Sequence, residues 1–501
     1  MPSPASPRNR RRARLAPLAA AIALSAVAAC SSAPPPPAAL DSAGTTSGAS
    51  PTAAAPALAQ ATVKPAAPRS TTKVLSDGTR VTTTVRNGTV VTSTTKNGQT
   101  TTRTSTAGQP TATAAHSTLF KPSEDRIGIT PTSLTMCGHA ALTYGAAFNT
   151  SVDDLNVFWS AVNDDGGIYG RKVTMTYEND DYKPTTAVTA ARACAAKGIF
   201  LLLGGIGFDQ IPAVRNWAEE NRMLYIHHTA TEKGTAGQRF SFAPLPSVER
   251  TGEAFAQLYL SKYAGKKIGI IKRDGENWEP GVVAFKKYIG NRGKVVAETA
   301  VPQNKGNYTD DVLAMKNAGA EVVWIWENAL DAAPIVKQIR AQQYNPHMML
   351  FPFNLTAQTL KDDAFNPPLD GVAMFPAYSN KDYSGPFASY ADDMKLFEAQ
   401  YAKYRPSVDL SGVSGDLLFL NWSAQKSLYA QLLDCGKDCT RNRFVDVLES
   451  YKKRPTSSTC PVDFTGGNHR SGGEDLVFME TYHDPRGNPG WRNTQMCVGR
   501  S

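Results

Sequence analysis

The sequence predicts an α/β protein of two doubly wound parallel-sheet lobes, preceded by a long stalk that is disordered or weakly β. Three observations point there. Ile199–Leu203 is apolar at every position, too short for a helix and too uniform for a half-exposed strand, as in a central parallel strand covered on both faces. Gly204, Gly205 and Gly207 follow at once, with Pro212 suited to the first turn of the next helix. Two separate series of alternating strands and helices then run through the chain, one for each lobe. In an open α/β sheet a strand–turn–helix of this kind places its turn in the ligand crevice at the carboxyl ends of the strands.

The 501 residues allow two or three domains, and 33 prolines and 39 glycines point to long unstructured pieces beside real cores. The net charge of +9 is unevenly divided. Residues 1–29 hold five arginines and no acid, and residues 31–120 hold seven lysines and arginines against Asp41 and Asp77. Subtracting +5 for each segment from +9 leaves the folded remainder at −1. That balance argues against a nucleic-acid partner, which would need a basic face on the folded part.

Arg8 to Arg14 form a basic head before the apolar run Leu15–Ala29, a run that reads as a secretory signal and not as a permanent span. Val27-Ala28-Ala29-Cys30 resembles the bacterial lipobox, which implies that Cys30 is acylated and anchors the chain to the membrane. The arginines leave the twin-arginine export route open beside the general one. Residues 30–120 read as a tether: first Ala, Pro, Ser and Thr, then Asp77-Gly78, Asn87-Gly88 and Asn97-Gly98 at ten-residue spacing between Thr/Val runs. Those dipeptides favour hairpin turns. The pattern reads equally as a transient or partner-dependent meander and as a disordered stalk, because no face is clearly apolar.

In the folded part the reading takes Arg126–Thr130 as the first strand, followed by a long loop and a helix over 152–162. Strand 172–177, helix 185–196, the Ile199 strand, helix 211–220 and strand 223–227 complete the first series. The second holds helix 248–263, strand 267–271, helix 281–289, strand 295–299, helix 310–317 capped by Thr309, strand 322–326, helix 332–341 and strand 348–352. Helices follow over 389–404, 413–433 and 441–451.

Asp164-Asp165-Gly166-Gly167-Ile168-Tyr169-Gly170-Arg171-Lys172-Val173 resembles the turn after the first helix in the branched-chain amino-acid-binding family of type I periplasmic binding proteins. Asp180-Asp181, the Gly204–Pro212 turn, His228-Thr229-Ala230-Thr231 and Tyr308-Thr309-Asp310-Asp311 follow in the family's order, so the resemblance runs over about 125–482. It implies two lobes joined by three crossovers, here near Pro244, Ala377 and Gly472, closing on a small solute for an ABC importer. Lobe 1 is expected over about 125–245 and 378–455, and lobe 2 over about 246–377 and 456–501.

Strand ends supply the ligand-binding candidates: Ile206, Gly207, Phe208, His228, Thr229 and Thr231 in lobe 1, and Trp278, Trp326, Glu327, Asn328, Phe353 and Asn354 in lobe 2. Tyr144 and Phe148 in the long loop are further candidates. By strand alternation Trp324 and Trp326 share a face, and Trp324 reads as core. By resemblance Thr231 matches the threonine that binds an amino acid's backbone groups, and Trp278 the aromatic that covers it. Gly207 stands where the family has a carboxylate-binding serine, a departure that argues against a simple branched-chain amino acid. Phe208, Trp278 and Trp326 suit an aromatic or cationic solute, and Glu327 a positive group.

Apart from Cys30, six cysteines remain, an even number suited to an oxidising compartment, and six allow fifteen pairings. The favoured set is Cys137–Cys194, Cys435–Cys439 and Cys460–Cys497. Histidines at ligand spacing are missing, so no metal and no cofactor is expected. Neither a nucleophile elbow, nor a zinc-binding H-E-x-x-H, nor a phosphate loop occurs, and Gln210 stands where a dinucleotide fingerprint needs its third glycine. His227-His228 admit an acid–base reading, against a plainer one of one packed and one hydrogen-bonded imidazole. The expected function is therefore not enzymatic. It is that of an extracytoplasmic, lipid-anchored, monomeric solute-binding protein working with ABC permease subunits. The alternative is a non-transport sensor or envelope-interaction protein on the same fold.

Overall fold

The computed structural model describes residues 69–74, 80–86, 89–96 and 99–106, and then 118–499 apart from 144–150, 206, 229–230, 236, 353–354, 356–358, 367, 374–387, 411–412, 455–459, 465–468, 470–476, 484–486 and 488. Cys30, Ile206, Thr229, Asn354, Phe353, Tyr144, Phe148 and the crossovers placed near Ala377 and Gly472 lie outside the described residues. Among the described residues no helix is long and apolar enough to cross a membrane.

The threonine-rich repeat forms four antiparallel strands in sequential order, β1 (Arg69–Val74), β2 (Arg80–Arg86), β3 (Thr89–Lys96) and β4 (Gln99–Thr106). Arg86 pairs with Thr89 and Lys96 with Gln99, so two residues separate the paired ends of each hairpin. Hydroxyl pairs tie neighbouring strands: Thr72 to Thr82 at 3.0 Å, Ser93 to Thr102 at 3.1 Å and Thr95 to Thr100 at 2.9 Å.

Lobe 1 is built on β5 (Ser133–Ala140), β6 (Lys172–Asn179), β7 (Leu202–Leu203), β8 (Tyr225–Ile226) and β9 (Ser241–Phe242), all parallel in the order β6-β5-β7-β8-β9. The uniform apolarity of Ile199–Leu203 has a direct cause. Leu201 and Leu203 face a core with Phe158, Phe397, Trp422 and Phe444, while Leu202 faces Ala187, Ala191, Val214 and Trp217 on the other side. The helices responsible are α2 (Val157–Asp164), α10 (Ala388–Tyr404), α11 (Val413–Cys435) and α12 (Arg441–Glu449) on the first face. On the second are α3 (Pro184–Ala196) and α4 (Gln210–Glu220). The Ser151 capping box opens a short α1 (Val152–Leu155), which Asn156 separates from α2.

The first strand is corrected. Residues 121–128 are turns, and Ile129 makes a single bridge to Leu134. Thr130 Oγ1 accepts from the Ser133 amide at 2.9 Å and turns the chain at Pro131, so the strand starts at Ser133. The alternation Ile127/Ile129 misled because a short apolar pair carries no register. Cys137 therefore sits in the central sheet, and its bond to Cys194 (S–S 2.01 Å) ties strand to helix and not loop to helix. The other two pairs at bonding distance are Cys435–Cys439 and Cys460–Cys497.

Lobe 2 repeats the strand order with β10 (Lys267–Arg273), β11 (Lys294–Val301), β12 (Val322–Trp326), β13 (His347–Leu350) and β14 (Asp370–Ala373). To these it adds an antiparallel hairpin, β15 (Val477–His483) and β16 (Pro489–Gln495). The hairpin was not read from the sequence. α6 (Val248–Tyr263) and α7 (Glu279–Ile289) cover one face, and α8 (Thr309–Asn317) and α9 (Ala329–Ala341) cover the other. Thr309 is the first residue of α8 and not its cap; the Asn307 side chain accepts from its amide at 2.9 Å. Val462 and Phe464 pack in the core of lobe 1, and His469 stacks on Phe242 of the same lobe at 3.9 Å.

Candidate functional site

In both lobes the strand order reverses beside the first strand, between β5 and β7 and between β10 and β12. The crevice at such a reversal is where open α/β sheets hold ligands.

In lobe 1 this crevice is lined by the ends of β5 and β7. His139 is fully buried and bridges two elements: its Nδ1 lies 2.8 Å from Asp180 Oδ2 and its Nε2 2.8 Å from the Tyr225 hydroxyl. A Cβ on Gly204 would come within 2.6 Å of that hydroxyl and 2.7 Å of His227 Cβ, so only glycine leaves room for the pair. Burial raises the Tyr225 phenol well above its ordinary range, with Asp180 adding to it. Burial likewise lowers His227 to about 3 and His228 to about 4, so both imidazoles are neutral at pH 7. A side-chain hydrogen bond from Gln238 opposes the effect of burial on His227, and the charge of His139 adds to the lowering of both.

Two small cavities flank His228. One, of about 60 Å³, is bounded by His139, Gly205, Tyr177 and Asn421; the other, of about 40 Å³, by Leu203, Ile226, His227 and Gln431.

The lobe 2 crevice is organised differently. Arg273, ending β10, reaches Asp331 Oδ2 at 3.5 Å and Glu327 Oε2 at 4.0 Å, and donates to Gln303. Asp331 also accepts from the Tyr308 hydroxyl and from the Asn304 amide at 3.0 Å. Glu327 is 0% exposed, and burial, helped by Asp331, raises its pKa to about 9. Asn328 caps α9 by accepting from Leu330 N at 3.0 Å.

The lobes meet through Phe208. Its ring lies 4.6 Å from Trp278, 6.0 Å from Trp326 and 6.3 Å from Phe351, inside the core of lobe 2. Asp209 accepts from Asn277 Nδ2 at 3.1 Å and Trp278 Nε1 at 3.3 Å, and Trp326 Nε1 donates to Trp278 O at 2.9 Å. The three aromatics read as flat faces for a solute therefore face one another, and Glu327 faces Arg273.

Gly207 has φ +149°, and a Cβ there would meet Gln210 Oε1 at 2.1 Å, so its departure from serine has a steric cause. Beside this contact an open cavity of about 1080 Å³ lies between residues of the two lobes. Thr231 and Asn277 line it, with Glu232, Glu249, Glu253, Glu276 and Glu279 against Arg215, Lys233 and Lys287. Thr231 Oγ1 accepts from Gly234 N at 2.8 Å and Arg215 Nε donates to Gly234 O at 2.6 Å.

Of the candidate residues, the structure gathers Phe208, Trp278 and Trp326 into one buried cluster, sets Thr231 on the open cavity and His228 on the small ones, and places Glu327 in an ion network. His139, Tyr225, Asp209, Arg273 and Asp331 were not singled out. Their partners lie far along the chain, and only the strand-end position of Arg273 carried any signal.

A profile of the periplasmic binding protein family matches residues 143–482. A Leu/Ile/Val-binding protein homologue from Brucella melitensis is 29% identical over 172 residues, which span 32% of this chain and 45% of that relative. Among solved structures, a fatty acid ABC transporter substrate-binding protein from Thermomonospora curvata superposes with a TM-score of 0.61 at 17% identity, over 74% of this chain and 93% of its own. A leucine-binding protein from Thermotoga maritima gives 0.57 at 16%, over 72% and 97%. A solute-binding protein from Rhodopseudomonas palustris in complex with 3,4-dihydroxybenzoic acid gives 0.58 at 13%, over 72% and 95%. At these identities the structures speak to the fold alone.

Proposed function

The chain belongs to the periplasmic binding protein family, and on that premise we propose that it is an extracytoplasmic solute-binding lipoprotein of an ABC importer. It is acylated at Cys30, acts as a monomer, and delivers to permease subunits an amino-acid-like, amide or aromatic/cationic small solute held between the lobes. The observation that carries the reading is the cavity of about 1080 Å³ between the lobes, with Thr231 on its wall. Five glutamates against three basic residues on that wall favour a solute with a cationic or amide head. The titles of the structural neighbours name a fatty acid, leucine and a dihydroxybenzoate, so the shared fold does not choose the solute.

A thermal-shift screen of the mature chain against amino acids, amides, polyamines, fatty acids and aromatic acids tests the reading. Stabilisation by one class, with a smaller radius of gyration on binding, is the expected outcome. No stabilisation by any class overturns it.

A further inference from the structure

Of the three disulfide bonds among the described residues, two lie inside lobe 1. Cys137–Cys194 joins β5 to α3, and Cys435–Cys439 closes the turn after α11. Cys460–Cys497 is placed differently, because its two ends are fixed in different lobes. Cys460 lies in a loop held on lobe 1. Arg454 and Val462 exchange both backbone hydrogen bonds, at 2.8 and 2.9 Å, and Arg454 Nη2 donates to Asp434 of α11 at 2.7 Å. Val462 and Phe464, just beyond Cys460, pack in the lobe 1 core.

Cys497 belongs to a tail held on lobe 2. The tail leaves β16 at Gln495, and Val498 packs in the lobe 2 core. Arg250 of α6 is buried and donates from Nη2 to Val498 O at 2.5 Å, while Gln257 of the same helix donates from Nε2 to Gly499 O at 2.9 Å. A buried guanidinium is costly unless its donors are met, so the tail carbonyl is part of what keeps Arg250 in place. The main chain passes from β9 of lobe 1 to α6 of lobe 2 over residues 243–247, and Arg250 grips the tail in the turn that follows.

A disulfide within one rigid body acts chiefly on the unfolded chain. A disulfide between two bodies also removes relative motion from the folded state. We propose that the Cys460–Cys497 bond, with the tail that Arg250 clamps, is a strap across the lobes that limits how far they part. The inference rests on the reading above of two lobes that close on a solute. By narrowing the range of open forms, the strap leaves less rearrangement between the empty protein and the closed one.

The test is small-angle scattering of the mature chain with no solute present. Cys460→Ser/Cys497→Ser is expected to raise the radius of gyration by about 1 Å or more. Iodide should then quench tryptophan fluorescence more strongly, as Trp278 leaves Phe208. Cys435→Ser/Cys439→Ser, which removes a bond inside lobe 1, should leave the radius as it is. Should the first variant not fold, mild phosphine reduction of the folded native chain, followed by iodoacetamide, takes its place. Cys497 is half-buried while the cysteines of the other two pairs are buried, so peptide mass spectrometry should find the label on Cys460 and Cys497 first. A lower melting temperature with an unchanged radius overturns the strap and leaves the bond a local staple. Equal expansion in both double variants also overturns it, since the change is then a general loosening. Because no solute is present, either failure leaves a positive thermal screen standing.

Discussion

The two lobes share a strand order and diverge where it matters. At the reversal point of lobe 1 the polar groups are neutral imidazoles and amides beside small cavities. At the corresponding point of lobe 2 an arginine faces two buried carboxyl groups, one of which also accepts from a tyrosine, and the aromatic residues close the remaining space. One topology thus carries neutral polar groups beside cavities at one reversal point and an arginine–carboxyl cluster at the other, and the difference lies in the side chains at the strand ends.

Removing the hub of the lobe 2 network should have the largest effect. Arg273→Ala leaves Asp331 buried without its cation, and chemical denaturation should show a loss of about 3–5 kcal/mol. A loss below about 1 kcal/mol would mean that water already reaches the network and that the contrast between lobes is false.

Phe208→Ala attacks the contact between them. Losing the burial of this ring should favour the open form by about 1.5–3 kcal/mol, roughly ten- to a hundredfold. Small-angle scattering should then show a larger radius of gyration, and iodide should quench Trp278 and Trp326 fluorescence more strongly. An unchanged radius would show that Asp209 and its partners hold the closure alone.

Gly207→Ser installs the family's hydroxyl where the backbone and Gln210 resist it. Calorimetric unfolding should show about 1–3 kcal/mol of destabilisation, with no gain in affinity for leucine, isoleucine or valine. Tight leucine binding by this variant would mean that the turn adapts.

The smallest expected effect is that of Glu327→Gln at neutral pH, under about 1 kcal/mol, because the native carboxyl is already protonated there. Its signature lies in the pH profile. A carboxyl whose folded pKa is raised to about 9 contributes stability that is complete below its unfolded value and lost as pH rises towards 9. His227 and His228, lowered to about 3 and 4, contribute the opposite slope: full stability above their unfolded value, lost as pH falls through the acid range. Melting temperature against pH should therefore fall on the alkaline side in the native chain and flatten there in Glu327→Gln, while the acid limb stays. A profile unaltered by the substitution would rule out a protonated Glu327.

The sequence by itself determined the two βα series, the central place of Ile199–Leu203 and the shared face of Trp324 and Trp326. It also located the strand-end turns from which the site is drawn. These follow from local rules: periodicity of two or 3.6 residues, glycine and proline at turns, and apolar runs only where both faces of a strand are covered. Ile127 and Ile129 mark the limit of those rules, since the strand begins beyond Pro131, where the helices of lobe 1 bury it. Only the tertiary structure decided which strand-end side chains meet open space. Phe208 and Trp278 are 70 residues apart along the chain, yet their rings meet at a tilt 4.6 Å apart. Glu327 faces Arg273, 54 residues earlier, and His227, read as half of an acid–base pair, is buried beside Gln238. A side chain's type is fixed locally, but its availability depends on which distant neighbour reaches it first, and no local pattern encodes that.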